Sequence, residues 1–275
     1  MSFSGKFRYR IKFSLDDFAI RTEDNKSDLE YISDKTTSSF NMVFSESYSI
    51  YCAVFQAAER YYYESIDLPR PPMNGFWKAC LRLCVYPNSV APGGELGNYE
   101  TVSRLILADR PVVSIFGLGK FSGKQSSDSI YGTTIHELTH AAHYGLDTEL
   151  YPEVEHRVRE SIATGVELYL ARQRYSSYPE PSYSINGYTA IMRDLVDGVK
   201  HISCFSHYDD DWNYSLYSSS KSYYDSISSA FTYSELVEAV KTCSTPEDWQ
   251  KRILLLYPSR VDKVKIEKAF EYWFD

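Results

Sequence analysis

Gly132-Thr-Thr-Ile-His-Glu-Leu-Thr-His-Ala-Ala-His143 is the stretch on which the reading of this chain turns. It contains His136-Glu137-Leu138-Thr139-His140, two histidines four residues apart with a glutamate directly after the first. On a helix, residues four apart lie one above the other on the same face. His136 and His140 can therefore offer two imidazole nitrogens to one metal ion. Zinc takes such nitrogens at about 2.0–2.1 Å and favours a tetrahedral site. Glu137 points slightly off that line, where it can take the proton of a water that the ion acidifies. A wet helix face carrying these residues for no chemical reason is the plainer alternative. It fits poorly, because Ile130, Ile135, Leu138, Ala141 and Ala142 make the segment largely apolar. Histidine and glutamate inside a core are costly without partners, and a metal removes that cost.

Size and composition bound the rest. The chain has 275 residues, 43% of them hydrophobic, enough for one large domain or two smaller ones. A net charge of −8 argues against nucleic acid as the main partner. There is no run of 18 apolar residues, so no membrane span is expected. The polar start, Met1-Ser-Phe-Ser-Gly-Lys6, does not read as a signal peptide. Five cysteines, an odd number, do not suggest a disulfide framework. Cys80 and Cys84 lie in a strand-like run that would hold them about 13 Å apart, too far for a bridge. No CxxC pair is present, which disfavours a cysteine zinc site.

Upstream of the helix, Phe7, Tyr9, Ile11, Phe13 and Leu15 alternate with polar residues and predict a half-buried strand. Residues 45–65 predict a helix with Ile50, Val54, Ala57, Ala58 and Tyr61 on one side, stopped by Asp67-Leu-Pro-Arg-Pro-Pro72. Ala79 to Val85 alternates as a strand, and residues 87–99 read as a loop. Pro111 to Phe116 predicts a short strand ended by Gly117. The glycine-rich run 117–124 fits neither phosphate-loop spacing and reads as a loop.

Downstream, the key helix is expected from Ser127 or Asp128 to about Gly145. Further helices are expected near 153–174, 187–198 and 260–273. Two more open at the capping sequences Thr232-Tyr-Ser-Glu235 and Thr245-Pro-Glu-Asp248. Residues 205–229 read as a long polar loop, and Asp209-Asp-Asp211 within it lacks EF-hand spacing.

Two histidines do not hold a catalytic zinc; a third protein ligand is needed. The HExxHxxGxxH pattern of metzincins fails, because His143 and Leu146 occupy its glycine and last-histidine positions. His143 lies one turn further along the face, too far for one ion to reach comfortably with the other two. It suits packing or a supporting role equally. Arg159-Glu160-Ser-Ile-Ala-Thr164-Gly-Val-Glu167, on the next helix, offers two carboxylates. Glu153 and Glu155, near that helix start, read as structural.

In these two segments the chain resembles the gluzincin branch of zinc metallopeptidases, in which a following helix supplies a glutamate ligand. Glu160 stands at the thermolysin-like spacing from His140. The resemblance implies that His136, His140 and Glu160 are zinc ligands and that Glu137 is the general base. Glu167, seven residues on, is the other candidate ligand. Thr164 stands where thermolysin-like enzymes carry an aspartate that orients a histidine, so that support must come from elsewhere. Zincins also need a donor for the oxyanion. Tyr188, at the start of the third helix, is the preferred candidate, ahead of Arg193, His201 and His207.

The expected fold is therefore α+β and zincin-like: a small mixed sheet packed on the helix with the histidines, and a mainly helical C-terminal half. Residues 1–146 would form the sheet and active-site helix, and 147–275 the helical part. By the resemblance, Pro111–Phe116 would be a sheet edge that receives an extended peptide. The expected function is zinc-dependent hydrolysis of a peptide or protein substrate. The rival is a zincin-fold binding protein or pseudoenzyme that retains zinc without peptidase activity. Resemblance to secreted zincins points to an exported protein, with a cytoplasmic one as the alternative.

Overall fold

The computed structural model describes residues 8–23, 27–34, 43–65, 67–72, 80–90, 97–102, 110–119, 123–179, 188–197, 205–208, 214–217, 231–260 and 262–274. The class is mixed α+β. The N-terminal alternation yields only a short strand, β1 (Arg10–Lys12). The run does not continue because the chain reverses at Asp16 and Asp17. The Leu15 N–H donates to Phe18 O at 2.9 Å, and the returning strand β2 (Phe18–Arg21) begins there. A third strand, β3 (Glu30–Ile32), pairs antiparallel with β1.

Helix α1 (Glu46–Glu59) runs where its apolar spacing places it and ends in a π-helical turn, Arg60–Glu64. It packs on β2 and on the long strand β4 (Leu81–Val90). Val54, Ala57, Ala58, Tyr61 and Tyr62 are buried, and the two alanines let the helix approach the sheet closely. Phe18, fully buried, lies 5.4 Å from the Phe55 ring and 5.6 Å from Tyr62. Burial of one such ring is worth about 1.5–3 kcal/mol.

Both described ends of the loop expected at 87–99 are strand, and residues 91–96 between them lie outside the described residues. β4 continues to Val90 through an irregularity after Tyr86, and Gly97–Val102 forms β5. β5 pairs antiparallel with β6 (Arg110–Gly119), which also runs past the stop expected at Gly117. A Cβ on Gly117 would lie 2.2 Å from Pro87 O, so this glycine permits close approach of β4 and β6 rather than ending the strand. The two-residue strand β7 (Gly123–Lys124) pairs with the end of β6. Sheet order is β2-β4-β6-β5, with parallel pairing up to β6 and antiparallel pairing beyond it. β6 is thus paired on both sides. It is not the peptide-receiving edge expected from the sequence; among the described residues, β2 and β5 are the outer strands.

Helix α2 (Ser127–Leu146) follows. A 3-10 turn, Tyr151–Glu153, leads into α3 (His156–Arg174). Next comes α4 (Ile191–Asp197), shorter than the expected 187–198. Within the expected polar loop, β8 (Phe205–Tyr208) and β9 (Tyr214–Tyr217) pair as a hairpin. Asp209-Asp-Asp211 lies outside the described residues. The last helices are α5 (Tyr233–Val240), α6 (Pro246–Leu256) and α7 (Lys263–Phe274). α5 opens on the full capping box of Thr232 and Glu235, and Thr245 Oγ1 caps α6 by accepting the Asp248 N–H at 3.2 Å.

Two compact units emerge: residues 1–64 with 72–137, and residues 65–71 with 138–275. The first holds the sheets of the N-terminal half, and the second holds helices α3 to α7. The division falls within α2, between Glu137 and Leu138. In the second unit, Trp273 Nε1 donates to Asp194 at 2.7 Å and ties α7 to α4. Trp249 Nε1 donates to Leu236 O at 3.2 Å and ties α6 to α5. Among the described residues, no helix is long and apolar enough to cross a membrane.

Candidate metal centre

α2 is apolar where its sequence requires. Ile130, Ile135, Leu138, Ala141 and Ala142 are all buried. That burial carries His136, Glu137, His140 and His143 out of water with them. α3 is held in place by its own small and polar residues. Ser161 Oγ donates to Arg157 O at 2.5 Å and accepts from the Thr189 hydroxyl at 2.7 Å. One turn on, Gly165 lets α4 come close, since a Cβ there would lie 2.4 Å from Met192 Cβ. The residue just before Ser161 is Glu160, whose side chain is buried with the histidines.

His136, His140 and Glu160 each offer a ligand atom, and these atoms lie within 4.8 Å of one another. His140 Nε2 is 3.4 Å from Glu160 Oε1. Ligands at about 2.0–2.1 Å in a tetrahedron stand about 3.4 Å apart, so the spacing suits a small cation. The donor set suits it as well. An imidazole nitrogen without its proton and a carboxylate oxygen are both electron-pair donors suited to a cation, and both side chains are buried. A cation held by all three would be bound through two imidazole nitrogens and one carboxylate oxygen. The residues fit a metal ion.

Glu137 is buried beside His136 on α2. Tyr151 Oη lies 3.3 Å from His140 Nδ1. His156, one turn before Glu160 on α3, places Nδ1 3.4 Å from Glu160 Oε1 and is otherwise exposed. His143 is outside the cluster; its ring meets Tyr151 edge-on at 5.1 Å. Burial drives its imidazole far below the ordinary histidine range, to about 3, and His140 and Arg159 add to the effect.

The other candidates have different partners. Glu167 accepts a hydrogen bond from Tyr178 Oη at 2.5 Å and does not join the cluster. Glu155 pairs with Arg157 Nε at 2.7 Å, and Glu153 is exposed. Tyr188 is 40% exposed, next to the Thr189 that bonds Ser161. Arg193 is half-buried on α4. His201 and the side chain of His207 lie outside the described residues. Sequence reading passed over His156 and Tyr151. The four-residue spacing of His156 to Glu160 was a readable signal. For Tyr151, one of 25 tyrosines, only its place in the α2–α3 connection set it apart.

No family model matches the chain, and neither does any curated protein or solved structure.

Proposed function

We propose that this protein is a zinc-dependent peptidase in which His136, His140 and Glu160 hold the ion and Glu137 is the general base. The observation that carries the reading is the buried His136–His140–Glu160 cluster with Glu137 adjacent on the same helix. Zinc, when bound, would act as a Lewis acid toward a carbonyl and acidify water. The Glu137 carboxylate would accept the proton of the attacking water and return it to the departing amine nitrogen. Burial strips competing water from that carboxylate and strengthens its interactions. Tyr188, exposed and one residue before the Thr189 that bonds Ser161, would donate a hydrogen bond to the developing oxyanion. The peptide character of the substrate rests on the gluzincin resemblance of the two helical segments.

The test is cleavage of a mixed peptide library by the zinc-loaded chain, with Glu137→Gln as the matched variant. The reading requires cleavage by the parent and loss of it in the variant. A parent that binds zinc and cleaves nothing favours the retained-zinc binding protein instead.

A further inference from the structure

The connection between α2 and α3 is built to deliver one side chain to the cluster. Asp147 Oδ1 accepts the N–H groups of Glu149 at 3.2 Å and Leu150 at 3.0 Å, which closes a tight turn. The Tyr151 N–H then donates to Asp147 O at 3.1 Å. Pro152, inside the 3-10 turn that follows, fixes its own backbone angle there. The Tyr151 ring is gripped on several sides. His143 meets it at 5.1 Å, Tyr144 at 5.7 Å, and the Arg159 guanidinium stacks over it at 5.3 Å. The outcome is Tyr151 Oη at 3.3 Å from His140 Nδ1, on the opposite side of the imidazole from the Nε2 that faces Glu160.

That placement has a chemical consequence. A neutral imidazole carries one proton on either nitrogen, and it can ligate through Nε2 only when the proton sits on Nδ1. A buried Nδ1–H needs an acceptor. Tyr151 Oη, 3.3 Å away, is placed to be that acceptor, whereas Thr164, one turn beyond Glu160 on α3, has its buried Oγ1 without a hydrogen-bond partner among the described residues and so does not bond His140. We propose that Tyr151 is a positioning residue, accepting the Nδ1–H of His140 and so presenting Nε2 to the metal. Partners of this kind fix both the tautomer and the ring orientation of a histidine ligand. A hydroxyl differs from a carboxylate in this place, because it can also donate. With a cation at Nε2 the hydroxyl serves as the acceptor of Nδ1–H, and it adds no negative charge to the centre.

The inference rests on the zinc reading above, and the experiment separates the two. Zinc affinity of the full chain and of Tyr151→Phe is measured by competition with a chromogenic chelator. Phenylalanine keeps the ring between His143 and Arg159 and removes only the hydroxyl. The expected result is zinc binding weakened about 10–100-fold, the usual scale for loss of such a partner. Nitrogen-15 NMR of the zinc-loaded parent should show His140 protonated at Nδ1, with that proton hydrogen-bonded. Equal affinity in parent and variant overturns the role of Tyr151 while leaving the zinc site standing. So does a zinc-loaded parent whose His140 carries its proton on Nε2, a result that does not depend on the variant folding. A parent that binds no zinc overturns both readings.

Discussion

His140 Nε2 and Glu160 Oε1 stand 3.4 Å apart, both buried, although 19 residues separate them along the chain. The contact selects Glu160 over Glu167, which lies seven residues on and bonds Tyr178 instead. Replacing a ligand should weaken zinc far more than replacing a group outside the cluster. Glu160→Ala is expected to lose zinc at chelator concentrations where Glu167→Ala still holds it. The reverse order would move the third ligand to Glu167.

Glu137→Gln keeps the size of the side chain but cannot accept a proton. Peptide hydrolysis should fall by about 10²-fold or more, the usual scale for loss of a general base, with zinc content unchanged. Equal rates for parent and variant would remove Glu137 from the chemistry.

His143 should make the fold acid-sensitive. Its folded pKa of about 3 lies below the ordinary 6.5. Below pH 6.5 the unfolded chain therefore binds a proton that the folded chain refuses. Stability should fall as pH drops from 6.5 toward 3, by up to about 1.4 kcal/mol per unit from this group. Urea unfolding of the metal-free chain across that range measures the slope. His143→Phe, which keeps an edge-on ring against Tyr151, should flatten it. An unchanged slope would show that His143 is not the group responsible.

Gly165→Ala tests the packing that seats the Glu160 helix. Alanine in a helix interior gains about 0.5–1 kcal/mol over glycine. Here the new methyl would lie 2.4 Å from Met192 Cβ, an atom fixed to the α4 backbone. Overpacking costs typically about 1–3 kcal/mol, so destabilisation should win. A variant as stable as the parent in urea would show that α4 moves aside freely.

Much of α2 and α3 was legible because the signals are local. The histidine spacing, the apolar positions around it and the two capping sequences downstream each depend on residues within a few places of one another. The sheet was harder. The partners of β6 are set by pairings with residues 82–90 and 97–102, and no alternation within Pro111–Phe116 reveals that it is flanked on both sides. Pro87 and Gly97 signalled a loop, yet the pairing of β4 and β5 with β6 places both in strands. The N-terminal alternation was real, but Phe13 turns inward to bond Leu29 across a chain reversal, which pattern alone cannot place. Tyr151 was hidden for a related reason: its role comes from a turn that brings it back to His140, not from its own neighbours.

The buried side chains of His136, His140 and Glu160 stand close enough to hold one metal ion. Elemental analysis of the chain, purified metal-free and then equilibrated with zinc, measures it directly. About one zinc per chain is expected, lost in a His136→Ala, His140→Ala double variant that still folds. A parent that takes up no zinc under saturating conditions would contradict it.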